Sequence, residues 1–351
     1  MAVWVVGPGA LGLTLAAAVR TSCVPDNNLA LLGKSNKKKS VVVKWNSATL
    51  VKAGYATEKI ESLNQFSQWN CEVKSHLLPP NSYEPLTVYV CVPPQNVVDA
   101  LKRICDLFPD LYSHPAGVDI VFCSNGLLAE YADLWPKNFK NALLKFLKND
   151  SFQENKLTLQ LWRALFFVGV TASHDGLTEV SHNGGLTIQY GHLPLEKYLH
   201  TKSFSRNSTH DINCLLPFVW LQQEDIVENE LQKFFVNLAL AVIVGPQLIA
   251  NGMVSNLPAF LHLSSIAELV TLAGKHQNVN VEVLVKSFEF TVSETRENVN
   301  SLSLAWYNGN VHIFDELLHM LELRLPLKLS SAQVSVHRSL KVLWQSAKVG
   351  V

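Results

Sequence analysis

The sequence predicts an α/β fold, a doubly wound parallel sheet in its first part followed by an all-helical C-terminal domain. Three observations carry that prediction. Short apolar or β-branched runs alternate with helix-spaced segments up to about residue 123, the pattern of parallel strands joined by crossover helices. From Ile226 onwards the apolar positions recur almost throughout at helical spacing. The length of 351 residues suits two domains, at about 150 residues each.

Val3–Val6 is an apolar run that ends in Gly7-Pro8-Gly9, and Leu11–Arg20 carries small and apolar residues at helical spacing. The reading is strand, tight turn, helix. Leu29–Leu32 is a second strand, followed by Gly33 and a basic cluster. Thr87–Val92 is a β-branched strand stopped by Pro93-Pro94. Asn96–Phe108 is an amphipathic helix with Val97, Val98, Leu101, Ile104 and Cys105 on one side. Val118–Cys123 is a further strand closed by Ser124-Asn125-Gly126. After residue 160 the texture changes. Ala164–Thr171 is β-rich, and Ser173–Gly191 alternates apolar positions (Leu177, Val180, Leu186, Ile188) among glycines, which predicts antiparallel strands. Helices are expected over 226–243, 257–274, 279–298, 300–324 and 330–347. The acidic stretch Gln222–Glu230 reads as the hinge, giving domains 1–222 and 223–351.

Composition narrows the function. Hydrophobic residues make up 48% and charged residues 17%, so the chain is not disordered. Lys+Arg and Asp+Glu are both 29, which leaves no electrostatic footprint for nucleic acid or an anionic membrane. Phe234–Ala250 is strongly apolar but contains Asn237, Gly245, Pro246 and Gln247. It is too short for a span of about 20 residues and reads as a buried core helix. The six cysteines form no CxxC pair and complete no metal site, so reduced thiols are expected. The apolar N-terminus lacks a basic n-region and is broken by glycines. It is therefore not read as a signal peptide, and a cytoplasmic location is expected.

Gly7-Pro8-Gly9-Ala10-Leu11-Gly12 is a complete GxGxxG placed between a predicted strand and a predicted helix, the context in which the motif binds a dinucleotide. Gly7 permits the tight turn, Gly9 lets a pyrophosphate approach the backbone, and Gly12 allows close helix–strand packing. The helix N-terminus offers free N–H groups to the phosphates. These features make the sheet Rossmann-type. NAD sites place a carboxylate at the end of the second strand, whereas NADP sites use basic residues. Here the run is Gly33-Lys34-Ser35-Asn36-Lys37-Lys38-Lys39, without a carboxylate. NADP(H) is the expected cofactor, with Lys34 first among its contacts.

The sequence resembles the ketopantoate reductase family of the 6-phosphogluconate dehydrogenase-like superfamily. The resemblance rests on GPGALG at 7–12, VFCSNGL at 121–127, the glycine-rich 169–192, LLPFVWLQQEDIVENELQKFFVN at 215–237 and ENVNSLSLAW at 297–306. It implies NADPH-dependent reduction of ketopantoate to pantoate, on the route to pantothenate, in a cleft between the domains. By the same resemblance Lys233 is the acid that polarises the ketone and protonates the alkoxide. Asn237, one turn on, hydrogen-bonds the substrate. Asn125 lies near nicotinamide and substrate, and Ser301 holds the substrate carboxylate. The implied partners are a small 2-oxoacid and at most a second copy of the chain, with no nucleic acid, membrane or metal.

The chain departs from the family pattern in places. Pro93-Pro94 stand where a lysine near the cofactor is usual, and Ala241 where a second helix asparagine is usual. The family's C-terminal glutamate falls near Ile313, with His312, Asp315 and Glu316 close by. The stretch 137–156 has no family counterpart. Two alternatives stay open: a dinucleotide-binding relative with altered substrate or lost catalysis, and a different dehydrogenase of the same superfamily.

Overall fold

The structure is a computed structural model that describes residues 2–21, 28–45, 57–58, 61, 68–77, 83–109, 114–124, 126, 159–167, 170–172, 177–180, 187–192, 218–220, 223–274, 279–307, 312–326 and 328–349. It forms two compact units, Met1–Ile226 and Val227–Val351.

In the first unit, β1 (Ala2–Val6) leads through the glycine turn into α1 (Ala10–Thr21). β2 (Leu29–Leu32), β3 (Lys37–Trp45), β4 (Gln68–Lys74), β5 (Leu86–Val90), α2 (Val97–Leu107), β6 (Val118–Phe122) and β7 (Leu159–Phe167) follow. β4, β2, β1, β5, β6 and β7 lie side by side, all parallel. Numbered alone along the chain, these six run 3-2-1-4-5-6, the strand order of dinucleotide-binding sheets. Alternate residues of each strand serve opposite faces. Val3 and Val5 of β1 pack in one buried cluster with Leu15, Ala16 and Val19 of α1. Ala2, Trp4 and Val6 pack in another with Val97, Leu101 and Ile104 of α2. Helices thus cover both faces, which is why β1, β5 and β6 read as continuous apolar runs. Each fully buried Val, Leu or Ile contributes about 1.5–3 kcal/mol.

The rest of the sheet corrects the sequence reading. β3 pairs antiparallel with β4, putting Lys37, Lys38 and Lys39 opposite Val73, Glu72 and Cys71. Those lysines therefore open a strand rather than extend the turn after β2. The predicted strands of 164–191 exist as the end of β7, β8 (Val170–Ala172), β9 (Leu177–Val180) and β10 (Thr187–His192). They pair antiparallel, as expected, but in two separate places. β8 and β9 pair antiparallel at one sheet edge, where β9 lies against β3. β10 pairs antiparallel with β7 near the other edge and parallel with β11 (Phe218–Trp220). Alternation shows that a segment is a strand, but its partner is set by tertiary pairing.

Gln223–Val244 is one continuous helix, α3, so the stretch read as a hinge is helical. Asp225 suits a helix start, where a carboxylate meets the positive dipole end. Gly245 ends the helix at φ 59, its N–H donating to Ala241 O at 3.0 Å, a left-handed cap followed by Pro246. Two 3₁₀ segments follow (Asn251–Asn256, Pro258–His262). Then come α4 (Leu263–Gly274), α5 (Val281–Glu294), α6 (Ser301–Tyr307), α7 (His312–Glu322) and α8 (Ser331–Val349). The long helix expected over 300–324 is two helices. Trp306 of α6, Phe314 of α7 and Trp344 of α8 share one aromatic cluster, with ring centroids 4.4–4.9 Å apart. Among the described residues the second unit has no strand beyond the isolated Ala250–Val299 bridge. No described helix is long and apolar enough to cross a membrane.

Candidate active site

β1 lies where the parallel order reverses, with β2 and β4 on one side and β5, β6 and β7 on the other. The carboxyl ends of strands at such a switch point are the ligand edge of an open α/β sheet. The glycine turn sits there. Gly7 has φ 86, and its N–H donates to Leu32 O at 3.0 Å, while Cys91 N donates to Val6 O at 2.8 Å. The turn is thereby tied to the ends of both neighbouring strands. A Cβ on Gly12 would lie 2.4 Å from Gly7 O, whereas a Cβ on Gly9 would meet nothing within 4 Å. Gly12 is therefore required by packing, and Gly9 faces open space that a ligand can enter. Pro8 adjoins the β2 end, since a Cβ on Gly33 would lie 3.6 Å from Pro8 Cγ. The first helical N–H with an i−4 acceptor is that of Leu13, bonded to Gly9 O at 2.9 Å. The N–H groups of Ala10, Leu11 and Gly12 have no acceptor within the helix. Open space, bare N–H groups and a positive dipole end fit the pyrophosphate of a dinucleotide.

Lys34 is exposed in the turn after β2. Asn36 Oδ1 accepts from Ser75 N at 2.6 Å, and the Arg103 guanidinium of α2 donates to Ser75 O. Arg103 is thus brought beside this turn from 67 positions away in the chain. Sequence reasoning missed it because nothing in α2 marks the cation as more than a solvated charge.

At the next strand ends, Cys123 N donates to Val90 O at 3.0 Å and Ser124 Oγ to Val92 O at 2.5 Å. Pro94–Asn96 form a 3₁₀ turn entering α2. Asn125, the stretch 137–156 and the side chain of Ser301 lie outside the described residues. Ser124 and Gly126 on either side of position 125 are buried, and Gly126 has φ 113. Of the cysteines, Cys71, Cys91, Cys105 and Cys123 form no disulfide. Burial, then the nearby Asp106, pushes the Cys105 thiol up to about 11, so it stays protonated and unreactive.

In the helical unit, Lys233 and Asn237 are half-buried and one turn apart on α3, amid fully buried Phe234, Phe235 and Leu238. Ala241, one turn further, is fully buried. Ser301 is the first residue of α6. Three buried polar groups of the helical unit went unrecognised. Asn251 donates from Nδ2 to Thr295 Oγ1 at 2.8 Å, and its Oδ1 has no hydrogen-bond partner. Asn300 caps Leu302 N through Oδ1 at 2.9 Å and leaves Nδ2 without a partner, as does Ser303 with its Oγ. Each such group costs about 1–3 kcal/mol when left unsatisfied, so they mark where a polar ligand would be welcome. Asn251-Gly252 reads in sequence as an ordinary turn pair and Asn300 as a helix cap.

Of the carboxylates near Ile313, Asp315 accepts from Trp344 Nε1 at 3.0 Å. Burial, reinforced by Asp315, pushes the Glu316 carboxyl up to about 7. Between the ordinary value and about 7, the folded protein holds a proton that the unfolded chain has released. Stability should therefore fall as pH rises through that window. Glu316→Gln is expected to remove this fall in denaturation curves recorded below and above the window.

The chain matches no family model and no curated protein sequence. Among solved structures it is similar to the dimeric ketopantoate reductase of Staphylococcus aureus, with 12% identity and a TM-score of 0.57 over 99% of this chain and 100% of that one. The PanE/ApbA family ketopantoate reductase of Ralstonia eutropha JMP134 gives 11% identity and a TM-score of 0.60 over 99% and 100%. D-mandelate dehydrogenase, solved with NADH and anilino(oxo)acetate, gives 11% and 0.57 over 99% of both chains. The fold is therefore one shared with ketopantoate reductases and D-mandelate dehydrogenase.

Proposed function

We propose that this chain is an NADPH-dependent 2-oxoacid reductase whose substrate is ketopantoate. The observation that carries the reading is the glycine turn at the switch point, open at Gly9 and followed at the end of β2 by Lys34 instead of a carboxylate. Gly7, Pro8, Gly9, Ala10, Leu11 and Gly12 would hold the pyrophosphate, Lys34 and Arg103 the 2′-phosphate, and the β5 and β6 ends with Asn125 the nicotinamide half. When bound, the cofactor supplies a hydride to the ketone carbon. Lys233 would place a cation on the ketone oxygen and give it a proton as negative charge develops there. Asn237, Asn125 and Ser301 would orient the substrate, with Ser301 on the carboxylate. The S. aureus neighbour is dimeric, and a homodimer is the proposed assembly.

Ala241, where the family pattern has an asparagine, favours a second reading, a relative with altered substrate, because a missing polar contact shifts specificity strongly. Turnover of NADPH and NADH with ketopantoate and a panel of branched and aromatic 2-oxoacids tests both. Oxidation fastest with ketopantoate supports the first reading, and oxidation fastest with another acid supports the second. Binding without turnover of any acid overturns the reductase reading.

Cofactor choice has its own test. A 2′-phosphate adds negative charge that cations beside β2 neutralise. Replacing Lys34 and Arg103 together by glutamine is expected to weaken NADPH about tenfold or more, about 1.4 kcal/mol, with little change for NADH. Equal weakening of both cofactors in a binding titration would count against the assignment.

A further inference from the structure

We infer that Arg163 is a positioning residue for the nicotinamide half of the nucleotide site, an inference that rests on the dinucleotide reading above. Arg163 lies in the apolar β7 sequence LQLWRALFF and is 2% exposed. Burying a guanidinium costs several kcal/mol unless its donors are well satisfied. Here one terminal nitrogen donates to Phe122 O at 2.8 Å and Ala164 O at 3.0 Å. The other donates to Ser124 O at 2.6 Å and Gly126 O at 3.3 Å. Three of these four carbonyls belong to the chain leaving β6, and the last two flank position 125.

The brace continues towards the glycine turn. Ser124, whose carbonyl Arg163 holds, donates from Oγ to Val92 O just beyond β5. The Val92 side chain abuts the turn in its own right, since a Cβ on Gly7 would lie 2.6 Å from Val92 Cγ1. One series of contacts thus runs from β7 through the ends of β6 and β5 to the turn after β1. A dinucleotide lies across the switch point. The adenosine end belongs to the β2 side, where Lys34 stands, and the nicotinamide end to the β5–β6 side. Arg163 fixes that second side and leaves the first alone. Only a planar fork of several donors serves four carbonyls at once; the compact ammonium of lysine does not.

The test compares NADPH with 2′-phospho-ADP-ribose, which lacks the nicotinamide, by titration of the full chain and its Arg163→Lys and Ser124→Ala variants. Ser124→Ala leaves the buried cation satisfied and cuts only the link to Val92, so it covers the case in which Arg163→Lys does not fold. The expected result is NADPH affinity about tenfold lower in Arg163→Lys, about 1.4 kcal/mol, and lower by a smaller factor in Ser124→Ala. Affinity for 2′-phospho-ADP-ribose should stay at the wild-type value in both. If the two ligands weaken together, or neither weakens, the inference is overturned while the dinucleotide reading stands. A wild-type chain that binds neither ligand overturns both.

Discussion

Replacing Gly9 by valine is expected to abolish nucleotide binding while leaving the protein folded. A Cβ at Gly9 meets nothing within 4 Å, so the folded chain accommodates it. The added side chain instead fills the space through which a pyrophosphate reaches the backbone. NADPH and NADH should both weaken by more than about a hundredfold, about 2.8 kcal/mol. Gly12→Val should lower stability as well as nucleotide binding. Its Cβ would lie 2.4 Å from Gly7 O, and overpacking of this kind typically costs about 1–3 kcal/mol. The pair is read by thermal unfolding and nucleotide titration on the same samples. A Gly9→Val protein that binds NADPH normally would show that the open face of the turn is not the pyrophosphate site.

Lys233→Ala is expected to lower kcat by about 10²–10⁴-fold, the usual contribution of a positioned general acid. That corresponds to roughly 3–5 kcal/mol of barrier. NADPH affinity should hardly change, because the lysine is assigned to the carbonyl and not to the cofactor. Asn237→Ala, one helical turn on, should mainly raise KM. The helix supports the contrast: Phe234, Phe235 and Leu238 are buried and anchor α3, while Lys233 and Asn237 stay half-buried on it. A fully active Lys233→Ala enzyme would leave the fold as described and remove the mechanism.

What could be read in the sequence follows physical lines. β1, β5 and β6 were legible because strands buried on both faces must be apolar throughout, and the glycine turn was legible because each glycine answers a local constraint. β3 was not, since Lys37–Lys39 look like a solvated charge run and their strand pairing with β4 is a non-local fact. The same holds for β9 and β10, whose alternation is visible but whose partners lie towards opposite edges of the sheet. Of the candidate residues in the two units, Gly7–Gly12, Lys34, Lys233 and Asn237 were accessible as motif or resemblance. Arg103, Arg163, Asn251 and Asn300 were not. Their significance comes from hydrogen-bond partners, or from a missing partner in a buried place, and sequence spacing encodes neither.

The central claim is hydride transfer from a nicotinamide cofactor to a 2-oxoacid, and isotope transfer tests it most directly. NADPH dideuterated at nicotinamide C4 is incubated with ketopantoate and the purified chain, and the product is analysed by mass spectrometry. The expected product is pantoate carrying one deuterium at C2, formed by the wild-type chain and reduced to a trace by Lys233→Ala. Bound NADPH with no deuterated 2-hydroxyacid, from ketopantoate or from any branched 2-oxoacid, would contradict the claim.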